Sequence, residues 1–485
     1  METTVKEKKQ IDYTKFLWVL GVLITLTMLY LSIYPTDSDV YYIIAQGRDI
    51  IQNGIPYQLN SFNYFPIDTV IQNYGWCVLL AFMYDLLGNI GLMLIQLCLY
   101  IPMSIVGMKI LDLKGFKGKF ISKYVLSMII ISLTYINLRP QNITMLCLLI
   151  QLYVMLLAKE KQIYKPLLVI PLVVLFHMQF HMSMWIMHLV ITLPFIFPLE
   201  IYFDDEDWHI RRVHYTKQGV KYFCITLLLS IIALFINPYG KDGAFYLINS
   251  LGTVTDFGIN ELGSISFSSA WGLTILCIVI CFVVFRKKLK GYEIWMILGL
   301  FVMATESIRN VNFLPIVFFF LTPYIMEHIN FKSDIFILPY VLIIITTLIS
   351  SFEFPSHLSN ELYIDSFEIL DEALEYIDDK DSKICAGFAT GNYLEFKGYH
   401  TFFDARPELY FKQINHTRDI GTDWLKLVNP DKTFDDIIAF YDFDYIIATP
   451  YNASYYGFKS NGNYEIIYEN LEDKIALFKK IEVSE

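Results

Sequence analysis

The chain has 485 residues, 55% of them hydrophobic and 16% aromatic, with a mean hydropathy of +0.45, which excludes an ordinary water-soluble globular protein. The net charge of −11 is unevenly spread: from residue 351 onward 26 acidic residues face 12 basic ones, so that part carries −14 and the part before it about +3. No basic patch suggests a nucleic-acid partner, and the seven cysteines give neither a disulfide framework nor a metal-binding spacing.

In chain order, apolar runs of near bilayer-crossing length recur at 16–34, 89–111, 123–138, 142–158, 166–181, 184–200, 220–236, 270–286, 291–305, 311–327 and 334–350. The expected fold is therefore a polytopic α-helical membrane protein of about eleven transmembrane helices over residues 1–350. An extracytoplasmic α/β domain over 351–485 follows. Residues 35–88 form the first outer loop; within it, "IQNYGWCVLLAFMYDLLG" at 71–88 reads as a further span or as a helix lying at the interface. The distribution of Lys and Arg arbitrates. With 71–88 not crossing and the N-terminus cytoplasmic, the inner segments collect 21 cationic residues. The outer loops before the tail keep only Arg48, Arg139, Lys241 and Arg309. A multi-pass protein of the cell membrane with its tail outside is the topology this predicts. In the tail, "SFEILDEALEYIDD" has helical periodicity, while "KICAGF", "HTFFDAR", "YDFDYIIATP" and "IALFKKI" read as short strands.

On this topology the outer loops hold the residues that are expensive near a bilayer. The first carries Asp37, Asp39, Arg48 and Asp49. "NLRPQN" carries Arg139 and Gln141, and "FHMQFHMS" carries His177 and His181. "NPYGKDG" carries Asn237, Tyr239 and Lys241, and "ESIRNVN" carries Glu306, Arg309 and Asn310. Such a set suits transfer of a sugar from a lipid-linked donor. Asp37 or Asp39 would take the proton of the attacking hydroxyl. Arg139 and Arg309, with Arg48 and Lys241 as weaker candidates, would stabilise the leaving phosphate. His177, His181, Gln141, Asn237, Tyr239 and Asn310 would line the cavity. The two aspartates could also hold a divalent cation, Mg or Mn, though two carboxylates are too few to specify one. Solvated loops, helix anchoring at the headgroups and ordinary turns are the plainer readings of the same residues. For Asp404 and Arg406 in the tail an internal ion pair is favoured over a ligand role.

"DSDVYYIIAQGRDIIQNGIPYQLNSFNY" followed by "QNYGWCVLLAFMYDLLG" resembles the first outer loop of GT-C superfamily membrane glycosyltransferases, and "LRPQ", "NPYG", "IRN", "GNYLEF" and "FFDARPELY" follow in the order found in prokaryotic members. The resemblance implies a GT-C fold with a catalytic base on an Asp of the first outer loop, Asp37 or Asp39 here. It also implies a polyprenyl-phosphate-linked sugar as donor and a glycan, lipid or protein as acceptor, and a "GNYLEF" strand. Two other functions fit the composition: a flippase for a lipid-linked saccharide, which predicts ionisable residues through the depth of the bilayer, and a non-catalytic membrane scaffold, which predicts outer loops that do not converge.

Overall fold

The structure is a computed structural model that describes residues 14–33, 38–55, 70–134, 137–204, 207–250, 270–306, 308–328, 367–415 and 418–481. The first part is helical: α1 (Thr14–Ile33), α2 (Asp39–Asn53), α3 (Tyr74–Leu87), α4 (Asn89–Leu113), α5 (Phe120–Ser132), α6 (Gln141–Lys161), α7 (Ile170–Phe180), α8 (Ile186–Ile196), α9 (Lys217–Leu234), α10 (Lys241–Ser250), α11 (Ala270–Phe285), α12 (Gly291–Glu306) and α13 (Phe318–His328). Helices stand at ten of the eleven expected spans, and the eleventh, 334–350, lies outside the described residues. By length and composition, α4, α6 and α9 are able to cross a membrane, and the other apolar helices are shorter. α1, α9 and α11 turn apolar side chains such as Leu23, Leu228 and Val283 outward. A lipid surrounding removes the penalty that water would put on those faces.

α6 is the centre of the bundle, packed against α4, α7 and α8. α1 leans on α4 and α5, and α12 on α8. Residues 74–87 become α3, which lies along α2 and packs against α4 and α7. At the end of the bundle away from α2, the tips of α4, α6 and α12 meet in an ionic cluster. Lys114 pairs with the fully buried Glu293, Lys290 reaches Glu160 at 2.5 Å, and the Tyr292 hydroxyl donates to Glu160 at 2.5 Å. The sixth span, expected to reach residue 200, stops at Ile196, and 199–200 instead open β1 (Leu199–Asp204), which pairs antiparallel with β2 (Asp207–Arg212) in register Leu199 to Arg212. Alternation of Leu199, Ile201 and Phe203 with Glu200, Tyr202 and Asp204 suits a strand better than a helix face.

The tail folds around a four-stranded sheet in the order β3 (Ile384–Cys385), β4 (Tyr445–Ala448), β6 (Ile475–Lys480), β5 (Tyr464–Asn470); β3 and β4 are parallel and the other pairs antiparallel. Among the described residues five helices of eight residues or more accompany it: α14 (Phe367–Leu374), α15 (Phe388–Lys397), α16 (Ile420–Val428), α17 (Phe434–Tyr441) and α18 (Ala453–Asn461). Two expected strands are corrected. "HTFFDAR" contributes only a single bridge between Thr401 and Ile384, because Thr401 and Asp404 turn their side chains back onto this segment's own backbone. "GNYLEF" lies in α15, closed by Gly398 in the left-handed region at φ 84°.

Candidate functional site

The polar residues gather at the end of the bundle where α2 and α6 begin. Asp39 is the first residue of α2, where the exposed N–H groups of a helix start favour a carboxylate. Its Oδ2 lies 3.1 Å from Arg139 Nη2, and the two side chains keep 20% and 15% of their surfaces exposed, so the pair is mostly covered with a minor part of each side chain accessible. Arg139 is held by its loop. Asn142 donates to the carbonyl of Asn137 at 2.7 Å, and Gln96, from inside α4, donates to the same carbonyl at 3.1 Å. Gln96 is thus a buried amide that shapes the "NLRPQN" loop. Gln141, two residues beyond Arg139, is buried with its Oε1 unpartnered among the described residues.

The other loops converge through backbone and amide contacts. The Met182 amide donates to the Gln72 carbonyl at 2.9 Å, and the Tyr74 hydroxyl donates to Gln179 Oε1. Gln179 Nε2 donates to the Ile236 carbonyl at 2.7 Å, and Trp185 Nε1 to the Ala244 carbonyl at 2.9 Å. Thr144 Oγ1, one turn into α6, sits 2.7 Å from His181 Nδ1 and 2.8 Å from His177 Nε2. The first four outer loops of the expected topology are therefore neighbours. In the fifth, Asn310 donates to the Met303 carbonyl at 3.0 Å and closes the end of α12. The Arg309 side chain and all of Asp37 lie outside the described residues.

Several expected ligand residues are engaged within the protein. His177 is fully buried, with Nε2 on Thr144 and Nδ1 3.0 Å from His188 Nε2. Asn237 builds its own turn: its Oδ1 accepts from the Tyr239 amide at 2.9 Å and its Nδ2 donates to the Leu234 and Gly240 carbonyls at 2.9 Å each. Tyr239 is buried against that turn. Arg48 serves the tail: it donates to Asp85 at 2.6 Å and to the Phe396 carbonyl at 3.3 Å, with its guanidinium 4.8 Å from the Phe396 ring centre. Among the described residues no group of three or more His, Cys, Asp or Glu is placed to hold a metal ion.

The tail reaches the same place. Asn392 donates to Ser38 Oγ at 3.2 Å, directly before Asp39, and Tyr41 packs edge-on against Tyr393 and Phe396 at 5.1 Å. Arg406 is paired with Asp404, its Nη2 2.6 Å from Oδ2, and also with Glu395 at 2.7 Å; its guanidinium lies 5.2 Å from the ring centre of Tyr42. Sequence reasoning did not single out Gln96, Asn142, Thr144, Gln151 or His188. The signal for them was a polar residue inside an apolar run. No protein-family model matches the chain, and no curated protein matches it.

Proposed function

We propose that the chain is a membrane glycosyltransferase of the GT-C type. It moves a sugar from a polyprenyl-phosphate donor to a glycan, lipid or protein acceptor on the outer face of the cell membrane, with about eleven spans and the tail outside. The observation that carries this reading is the partly accessible Asp39–Arg139 pair, 3.1 Å apart, between the first and second outer loops. Asp39 accepts the proton of the acceptor hydroxyl as its oxygen bonds the anomeric carbon. The bond from that carbon to the phosphate oxygen breaks, and the phosphate leaves with the electron pair. Arg139 serves both partners. A guanidinium offers five donors in a rigid fork, so it can turn from the carboxylate to an arriving phosphate. That turn frees the carboxylate to act as base and neutralises the leaving group. Gln141 adds a buried acceptor two residues away. Asp37 remains the alternative base, and Arg309 a second phosphate ligand.

In proteoliposomes supplied with polyprenyl-phosphate sugars, Asp39→Asn should lower the transfer rate by about 10²–10⁴-fold at unchanged insertion, the usual loss on removing a general base. Asp37→Asn alone, and the double variant, separate the two carboxylates. Full activity in the double variant would end the base assignment.

One observation favours a second reading, passage of a lipid-linked saccharide: polar side chains continue into the bundle from His177 to His188 and Gln151. Movement of a labelled lipid-linked saccharide between leaflets, without transfer to any acceptor, would establish that reading instead.

A further inference from the structure

The β1–β2 hairpin sorts its side chains by face. Directly paired residues of an antiparallel hairpin share a face. The register thus puts Leu199, Ile201, Phe203, Trp208 and Ile210 on one side, with Arg212 beside Leu199. The other side carries Glu200, Tyr202, Asp204, Asp207, His209 and Arg211; there Arg211 pairs with Glu200 at 2.9 Å and Tyr202 stacks on His209. The apolar side is incompletely covered, since Ile210 keeps 67% and Trp208 47% of its surface exposed. Two helices fix how the hairpin lies. Trp295 Nε1, one turn into α12, donates to the Leu199 carbonyl at 2.9 Å. Trp208 stacks on Phe282, one turn before the end of α11, with ring centres 5.9 Å apart. Glu200, on the polar side, sits beside Gly291 at the tip of α12, where a Cβ would fall 1.8 Å from Glu200 Cγ. The hairpin therefore lies across the ends of α11 and α12. Its apolar side is about 5 Å inside those ends, at 1.5 Å of rise per residue. Phe282 shares a helix face with the exposed Val279 and Val283, so Trp208 extends the outward apolar surface of α11.

We propose that this hairpin is an interfacial anchor, seated in the phospholipid headgroup layer at the end of the bundle opposite Asp39. Length, edge, exposure and charge select that occupant. Each strand has six residues. At about 3.3 Å per residue they reach roughly 20 Å, and a crossing strand needs about 9–11 residues. A two-stranded sheet also leaves an open edge of backbone N–H and C=O groups on each side, which hydrocarbon does not tolerate. Bulk water is a poor surrounding for Trp208 and Ile210, whose exposed faces run on from the apolar flank of α11. The headgroup layer meets both demands: it is wet enough for the open edge, and it is where indole rings concentrate. Charge is sorted to match. The ionic groups at the apolar side are cations, Arg212 in the register and Arg286 with its guanidinium 4.6 Å from the Phe203 ring centre. Lipid phosphates are their complement. The carboxylates of Glu200, Asp204 and Asp207 belong to the other side. Because the hairpin is tied to α12 through Trp295 and to α11 through Phe282, the anchor sets the depth at which both helices stand. It requires only that the bundle stand in a membrane, and so serves transferase, flippase and scaffold alike.

The test is the fluorescence of Trp208 in the full chain, reconstituted into phosphatidylcholine vesicles. It is taken as the difference between wild type and Trp208→Phe, which keeps an aromatic ring against Phe282. Lipid brominated just below the headgroups should quench that difference about twofold more than lipid brominated at the chain ends, as for an element about 5–10 Å deep. Iodide on both sides of the bilayer should quench it far less than it quenches free tryptophan. Ile210→Asp, which puts a charge on the lipid side, should weaken the bromine quenching and strengthen that by iodide. Tyr202→Asp, on the water side, should change neither. Stronger quenching from the chain ends would put the hairpin in hydrocarbon and overturn the proposal. Quenching by iodide alone would put it in water, and shielding from both quenchers would mean a protein cover such as a second copy; either overturns it too. So would an Ile210→Asp variant that behaves as wild type, or Tyr202→Asp acting as strongly as Ile210→Asp. A phospholipid carrying a headgroup-level diazirine reads the same contact in wild type, without any substitution. Its label should fall on residues 208–212, and a hairpin left unlabelled would sink the anchor. None of these readouts needs sugar transfer, so a failed transfer assay and a failed anchor remain distinguishable.

Discussion

At Arg406, three buried ionisable side chains share too few charges of opposite sign. Its Nε and Nη2 grip Asp404 at 3.0 and 2.6 Å, Nη2 also meets Glu395 Oε1 at 2.7 Å, and Tyr410 donates to Asp404 at 2.5 Å. Arg406 Nη1 and Glu395 Oε2 are buried without a partner among the described residues. Burial pushes the Glu395 carboxyl well up, with the adjacent Asp404 adding to the push against the pull of Arg406. Burial acts on Asp404 in the same sense, but the Arg406 charge and the hydrogen bonds to its carboxylate outweigh it and hold Asp404 below the usual range. The two make opposite contributions to stability. Asp404 stabilises the fold above the ordinary carboxylate range, and this is lost as pH falls through its depressed value. Glu395, raised, contributes fully below the ordinary glutamate value, about 4.3, and this is lost as pH rises through its folded value. Glu395→Gln removes the second loss while keeping an oxygen for Arg406. Its Tm should match wild type at and below about pH 4, the ordinary glutamate value, and exceed it increasingly as pH rises from there; parallel curves would contradict the assignment. That Asp404 and Arg406 pair with each other was legible from their spacing. The third member, Glu395, was not, because it arrives from α15, eleven residues earlier in sequence.

At the scale of elements, the pairing of α2 with α3 positions Asp39. Gly47 makes it possible: a Cβ there would sit 2.0 Å from the Cys77 carbonyl oxygen and 2.7 Å from Ala81 Cβ. The two backbones meet where no side chain fits. Gly47→Val should therefore cost at least about 1–3 kcal/mol, the usual range for overpacking. It should also part the helices enough for the buried Cys77 to react with a thiol reagent that leaves wild type untouched. Unchanged Tm and an inert Cys77 would show that the contact is looser than the geometry says. The helix positions were legible because apolar runs declare themselves by length and composition. What the runs concealed was local. Residues 199–204 form a strand since their alternation has period two, whereas a transmembrane reading carried the sixth span on to residue 200 by hydrophobicity alone. "GNYLEF" is helical because α15 packs on α2, a tertiary preference that no local propensity encodes. Of the site, Asp39 and Arg139 were visible as charges at the ends of apolar runs. The amides and imidazoles that hold their loops looked like isolated polar residues, since hydrogen bonds across helices leave no trace in a single sequence.

For the molecule as a whole, the question is whether the tail is an appendage or a wall of the site. The contacts favour a wall. α15 lies on α2, Tyr84 and Tyr41 both pack edge-on against Phe396, and Asn392 reaches Ser38 beside Asp39. Arg48 is the fastening between the two parts, since it joins Asp85 of α3 and the Phe396 carbonyl of α15 while facing the Phe396 ring. Its ion pair is partly exposed, with 32% of the Arg48 and 45% of the Asp85 side chain accessible, so screening discounts it. The aromatic contact and the carbonyl bond remain. Arg48→Ala should thus weaken the docking by about 1 kcal/mol, equivalent to roughly fivefold more frequent opening. Hydrogen exchange resolves where that loss falls. Amides of 388–397 should exchange about fivefold faster, while those of β4 and β6, inside the tail's own sheet, keep wild-type rates. If the sheet loosened equally, Arg48 would be stabilising the tail's fold rather than its seat. If neither changed, the aromatic packing of Tyr41, Tyr84, Tyr393 and Phe396 would suffice to hold the tail over the Asp39–Arg139 pair without it.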